Sequence, residues 1–167
     1  MTNLERARRL VQQVRDLGAQ DFCVCAGSRN SPLIAVLARH AERSEASEPS
    51  SSFASLRMTL FSFVDERSAA FFALGRVKST GHPAAVITTS GTAVAELLPA
   101  VIEAHYSGLP LVLITADRPE RYRGTGAPQA IEQIGIFGPY AATSLEGWSC
   151  KTPLHLNAEF DEPLIDE

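Results

Sequence analysis

The chain has 167 residues, is 45% hydrophobic and carries a formal net charge of −4, which suits one domain, 1–167, with a sizeable core. That charge excludes the basic footprint of a nucleic-acid or anionic-membrane binder, and no apolar run approaches the roughly 20 residues needed to span a bilayer. Cys23, Cys25 and Cys150 lack zinc-like spacing, and the charged N-terminus has no signal-peptide core, so the cytoplasm is the expected location.

Leu4, Ala7, Leu10, Val11, Val14 and Leu17 recur at helical spacing over 3–17, and Gly18 is a natural stop. "FCVCA" (22–26) predicts a buried strand in which Cys23 and Cys25 act as small hydrophobes. "GSRNSP" (27–32) is a turn, and Pro32 opens a second helix, "PLIAVLARHAER" (32–43). The serine-rich run that follows has no periodicity and reads as a disordered surface insertion over about 42–59. "FSFV" (61–64) is a short strand and "ERSAAFFALGRVKST" (66–80) a helix. "AAVITT" (84–89) is a strand, "SGT" a turn, and "AVAELLPAVIEAHYSG" (93–108) one helix. "PLVLITA" (110–116) is the clearest buried strand and runs into a polar loop, "DRPERYRGTGAPQ" (117–129). A short helix is expected over "AIEQIGIF" (130–137) and a last strand over "LHLNAEF" (154–160).

Strands alternate with helices, and the strands are continuous apolar runs. The expected fold is therefore α/β, a mainly parallel sheet with helices on both faces. Ligands of such sheets sit at the carboxyl ends of the strands. Four polar segments fall there: "GSRNS", "DER", "TSGT" and "DRPERYRGTGAPQ".

Each segment has a plain and a chemical reading. In "GSR", Gly27 makes a turn and Ser28 caps a helix, or the loop and Arg29 receive an anion. In "TSGTA", Ser90 or Thr92 is suited to capping. Arg118, Arg121 and Arg123 are solvated, or they recognise a carboxylate bidentately. Asp65 and Glu66 cap and charge a helix start, or one of them is a working carboxylate. Neither a P-loop nor a dinucleotide fingerprint occurs, and no nucleophile elbow is visible.

Taken in order, "AGSRNSPL", "FVDERSAAFFALG", "AVITTSGTAVAELLPAVIEAHYSGLPLVLITADRP" and "QAIEQ" closely resemble the N-terminal, pyrimidine-binding domain of thiamine diphosphate-dependent enzymes. Within them the chain looks like the 2-succinyl-5-enolpyruvyl-6-hydroxy-3-cyclohexene-1-carboxylate synthases of menaquinone biosynthesis. The resemblance implies that Glu66 hydrogen-bonds the aminopyrimidine ring of the cofactor and controls its proton. That task needs a carboxyl group beside a ring nitrogen in a dry pocket. It further implies a cofactor-side loop containing Thr92 and a substrate-binding set of Ser28, Arg29, Arg118 and Gln129. The substrates implied are 2-oxoglutarate and isochorismate, both carboxylates. A Mg2+ or Mn2+ ion is implied as well, with its ligands in a diphosphate-binding domain of another subunit of a homo-oligomer, so no metal ligand is assigned in this chain. The central and diphosphate-binding domains are absent from it, and alone it holds half a site and is expected to be inactive.

Three departures stand beside the resemblance: Ala26 where proline is common, the serine-rich insertion, and a short 140–153 segment. They keep open a non-catalytic assembly domain or degenerate fragment, and the pyrimidine domain of a related enzyme such as an acetohydroxyacid synthase.

Overall fold

The computed structural model describes residues 1–45 and 58–165. The expected insertion over about 42–59 thus falls largely outside the described residues. Its margins are regular: α2 (Ser31–Glu45) runs through the first of the expected positions, 42–45, and β2 (Thr59–Phe63) begins at the last, 59.

The other elements are α1 (Asn3–Asp16), β1 (Asp21–Cys25), α3 (Glu66–Thr80), β3 (Ala84–Thr88), α4 (Thr92–Ala95), α5 (Leu98–Tyr106), β4 (Leu111–Asp117) and β5 (Leu154–Glu159). The five described strands form one sheet in the order β2-β1-β3-β4-β5, and every pair is parallel. Where the sequence predicted a mainly parallel sheet, the described strands are parallel throughout. Side chains alternate across each strand, and the core divides accordingly. Phe22, Ile87, Val112, Ile114, Leu154 and Leu156 pack with Val11, Val14, Leu33 and Leu37 of α1 and α2. Cys23, Cys25, Val86, Leu111 and Leu113 pack with Ala70, Leu74, Val101 and Ala104 of α3 and α5. Helices cover both faces, as a buried parallel sheet requires.

α1 begins with a capping box: Thr2 accepts from the Glu5 N–H, and the Glu5 carboxylate accepts from the Thr2 N–H. α3 begins at Asp65, whose Oδ1 accepts from the Ser68 N–H at 2.8 Å, and ends at Gly81 with φ 73°. Arg76 on α3 reaches across to Asp21 at the start of β1, 2.7 Å away.

Two helices depart from expectation. The single helix predicted over 93–108 is two, α4 and α5. Pro99 lies in the first turn of α5, and a proline deeper in one continuous helix would clash with the carbonyl of Ala95. The helix predicted over 130–137 does not form. Gln129 has φ 54° and Gly135 φ 74°, and the segment is held by turns instead, such as Ile136 N–H to Gln133 C=O at 3.2 Å. The Gln133 side chain is drawn into the interior.

Candidate active site

The strand order sets the site. Read along the carboxyl edge, the ends of β2, β1, β3 and β4 present Glu66, Ser28–Arg29, Thr92 and Arg118 in that sequence. Neighbouring strands lie about 4.8 Å apart, so the row from Glu66 to Arg118 crosses three strand spacings. The order reverses between β1 and β3, the place where doubly wound sheets open a crevice. There Gly27 lies against Thr89, and a Cβ on Gly27 would come within 2.6 Å of the Thr89 Cβ. No larger residue fits without parting the two loops.

Asn30, which the sequence reading passed over, shapes the turn after β1. Fully buried, it accepts the Gly27 N–H at 2.9 Å through Oδ1 and donates Nδ2 to the Cys25 carbonyl at 2.8 Å. Ser28 is exposed in the turn before α2. Arg29 is only 4% exposed, donating to the Phe160 carbonyl at 3.0 Å and pairing with Glu162 at 3.2 Å, both just past the carboxyl end of β5. Asn30→Ala is expected to destabilise the chain by about 2 kcal/mol, because the Cys25 carbonyl stays buried without a donor. Urea unfolding measures this, and a loss below roughly 0.5 kcal/mol would remove Asn30 from the account.

At the end of β2, Asp65 and Glu66 divide the two readings between them. Asp65 is the helix cap, and the Ser68 backbone N–H holds its carboxyl below the usual carboxylate range. Glu66 is left with its side chain half-buried at the first position of α3. Its charge is felt at Cys25, whose thiol is pushed up to about 12, first by burial and then by Glu66 and Asp65. Burial first, then Asp21, raises Cys23 to about 12 as well. Both side chains are buried in the core of β1, as the reading of Cys23 and Cys25 as small hydrophobes expected. Val64, one residue before Asp65, is fully exposed at 102%, and Phe71 and Phe72 of α3 are also exposed.

The three arginines after β4 separate. Arg121 pairs with Asp161, and Arg123 sits 2.7 Å from Glu159 and 3.6 Å from Asp117. Among the described residues, Arg118 alone of the three pairs with no carboxylate. Its Nε donates to the Pro128 carbonyl at 2.8 Å and its guanidinium lies 5.5 Å over the Tyr122 ring. Gln129 is exposed, and its backbone abuts the turn after β3. That turn has Gly91 as its cap residue, with no side-chain cap bond from Ser90 or Thr92. Thr92 is exposed on the first turn of α4.

Beneath the turn runs a polar chain that sequence reading missed. Gln133, 0% exposed, accepts the Gly91 N–H at 2.7 Å and donates to the Ala116 carbonyl at 3.1 Å and to Asn157 Oδ1 at 2.9 Å. Asn157 donates to Asp117 at 2.8 Å, and Thr115 donates to Asn157 Oδ1 at 2.8 Å. The Thr115 oxygen also meets His155 Nε2 at 2.7 Å. Since the hydroxyl proton is committed to Asn157, His155 Nε2 carries the hydrogen of that contact.

A family model described as "Thiamine pyrophosphate enzyme, N-terminal TPP binding domain" matches residues 5–136. The chain belongs to that family. Thiamine pyrophosphate is the thiamine diphosphate of the resemblance, and the similar relatives of this TPP-binding domain include proteins from Bdellovibrio bacteriovorus, Akkermansia muciniphila and Chloroflexus aurantiacus. Each is named 2-succinyl-5-enolpyruvyl-6-hydroxy-3-cyclohexene-1-carboxylate synthase. They are 47%, 46% and 42% identical over 99%, 87% and 95% of this chain, and over 31%, 27% and 28% of their own length. The TPP-binding domain thus spans under a third of these relatives.

The residues present fit the pyrimidine half of that cofactor. The hydroxyls of Thr88 and Thr89, at the end of β3, are buried without a partner among the described residues. With the Glu66 carboxyl they place hydrogen-bonding groups on the carboxyl edge that an aminopyrimidine ring, rich in donors and acceptors, can satisfy. Among the described residues, no group of three or more His, Cys, Asp or Glu side chains is arranged to hold a metal. No described helix is long and apolar enough to cross a membrane.

Proposed function

We infer that this TPP-binding domain supplies the pyrimidine side of the active site of a carboligase that decarboxylates 2-oxoglutarate and adds the succinyl-semialdehyde unit to isochorismate. The observation that carries this reading is Glu66 at the β2–α3 junction, free of the capping task that Asp65 performs. The similarity to named synthases supports the choice of substrates.

Thiamine diphosphate, when bound, supplies the electron sink for decarboxylation and carbon–carbon bond formation. The chain's own residues hold and place. Glu66 is the catalytic residue, exchanging a proton with a ring nitrogen of the pyrimidine. Thr92 borders the cofactor from the turn after β3. Arg118, unpaired with any described carboxylate, receives a substrate carboxylate, and Gln129 and Ser28 offer polar groups along the same edge. Arg29 joins this set by exchanging Glu162, 65% exposed at its side chain, for a substrate carboxylate.

The exposed Val64, Phe71 and Phe72 beside Glu66 give an apolar surface for a diphosphate-binding domain of another subunit, which carries the Mg2+ or Mn2+ ion. The assembly is a cytoplasmic homo-oligomer. The chain alone is expected to consume no 2-oxoglutarate. Supplied with a diphosphate-binding domain, thiamine diphosphate and Mg2+, it is expected to consume 2-oxoglutarate and isochorismate together. Consumption of pyruvate instead would assign it to an acetohydroxyacid synthase, and no cofactor binding would return it to a non-catalytic assembly domain.

A further inference from the structure

Gly91 stands in a conformation with φ 83° and ψ −139°, open to glycine and costly for other residues. It is also pressed from the side: a Cβ there would meet the Gln129 Cα and Cβ at 2.9 Å. Two segments of the site, the turn carrying Thr92 and the loop carrying Gln129, therefore meet at this glycine. Something must hold the Gly91 peptide in place, and the only side chain bonded to its N–H among the described residues is Gln133, 42 residues further on.

The orientation of Gln133 is forced rather than chosen. The Asp117 carboxylate can only accept, so the Asn157 amide nitrogen must face it and Asn157 Oδ1 must face Gln133. Gln133 meets two acceptors on one side, Asn157 Oδ1 and the Ala116 carbonyl, and one donor on the other, the Gly91 N–H. Only an amide satisfies all three at once. A carboxylate would satisfy Gly91 and oppose the two oxygens, and an apolar side chain would abandon all of them. Ala116 lies one residue past the last β3–β4 pair, Thr88 with Thr115, so the anchor is the rigid end of the central strands.

We propose that Gln133 is a positioning residue, with its carboxamide oriented by Asp117 through Asn157, which fixes the Gly91 peptide and so sets the cofactor-side turn of Thr92 against the loop of Gln129. The proposal rests on the reading of that edge as the cofactor site. It assigns Gln133 no contact with cofactor or substrate.

The test uses Gln133→Glu and Gln133→Met, with two readouts. The first is amide hydrogen exchange at Gly91 in the full chain, expressed as protection relative to the unstructured rate at each pH. At pH 7.5 both variants are expected to lose about tenfold or more of that protection, the worth of one buried hydrogen bond. At pH 5 the new carboxyl of Gln133→Glu begins to protonate and can donate again, so its protection recovers, while that of Gln133→Met does not. Retained protection at Ile114 and Leu113 in β4 shows that the sheet is intact. The second readout is the half-saturating thiamine diphosphate concentration of the assembled enzyme, expected to rise about tenfold as the turn loses its placement. A merely structural role would lower the folded fraction and leave half-saturation of the remaining enzyme unchanged.

Unchanged Gly91 protection in both variants overturns the proposal. Lost protection with wild-type half-saturation overturns it too, since the turn would then move without consequence for the site. A wild-type assembly that ignores thiamine diphosphate fails the functional reading, and Gly91 exchange then still decides whether Gln133 holds the turn.

Discussion

Glu66→Gln is expected to cut turnover of the assembled enzyme by about 100-fold or more while leaving the fold in place, the scale of a lost proton-transferring group. The fold survives because Glu66 contributes to α3 only as an acidic first-turn residue, worth roughly 0.3–1 kcal/mol. The side-chain cap belongs to its neighbour: Asp65 accepts the Ser68 N–H at 2.8 Å. Asp65→Asn is the matched control, since asparagine caps about as well, and its turnover should stay within about twofold of wild type. Steady-state rates of 2-oxoglutarate consumption, with circular dichroism of each variant, make the comparison. Near-normal turnover in Glu66→Gln would remove the catalytic role, and equal losses in both variants would mean that the helix start alone matters.

The chain is also expected to lose stability in mild acid, and His155 is the cause. Buried against Thr115 and in a T-shaped contact with the Phe137 ring, its imidazole is pushed down to about 4 by desolvation. In the unfolded chain it titrates at its ordinary value near 6.5. Between those two values the unfolded state holds a proton that the folded state refuses, so stability rises with pH and is lost as pH falls through the window. Across the whole window the loss amounts to roughly 3 kcal/mol. The depressed carboxylates work in a lower range: Asp65 and Asp161 have lowered values, set by the Ser68 N–H and by Arg121, and both lie at the exposed surface. Their contribution fades only below the ordinary carboxylate range. Urea unfolding at pH 7 and pH 4.5 tests the point, with His155→Gln as the reference. The variant should lose most of the slope, whatever its stability at pH 7. A wild-type chain equally stable at both pH values, or a variant with the same slope, would clear His155.

Local signals made most of the fold legible. Asp65 before the apolar run and Gly81 after it bound α3 at Glu66 and Thr80, where the sequence predicted both ends. The continuous apolar strands announced a covered parallel sheet, and the polar residues after each strand announced its working edge. The break between α4 and α5 was written in Pro99 but was masked by the strong apolar pattern on either side. Over 130–137 the composition favoured a helix, and distant contacts overrode it: Gln133 has partners 17, 24 and 42 residues away. A one-dimensional reading gives no weight to such separations. Arg29 shows the same limit. Its type and place after β1 suggested an open anion site, but its partner Glu162 lies 133 residues on. Asn30 was within reach, since asparagine bonding back to its own turn is a known local device.

The attachment of β5 has a dynamic consequence. Between β4 and β5 the stretch 118–153 contains only short 3-10 turns at 120–122 and 138–140 among its helical elements, so β5 docks from far along the chain. What it brings is concentrated: Asn157 for Gln133, the Phe160 carbonyl for Arg29, and the carbonyls of Asp161 and Pro163 for Asn3. Transient release of this one edge strand would remove Asn157 from Gln133, the Phe160 carbonyl from Arg29 and the C-terminal carbonyls from Asn3 in a single event. Opening of β5 is therefore expected to be coupled to loosening of the working edge, the two sharing one set of hydrogen bonds.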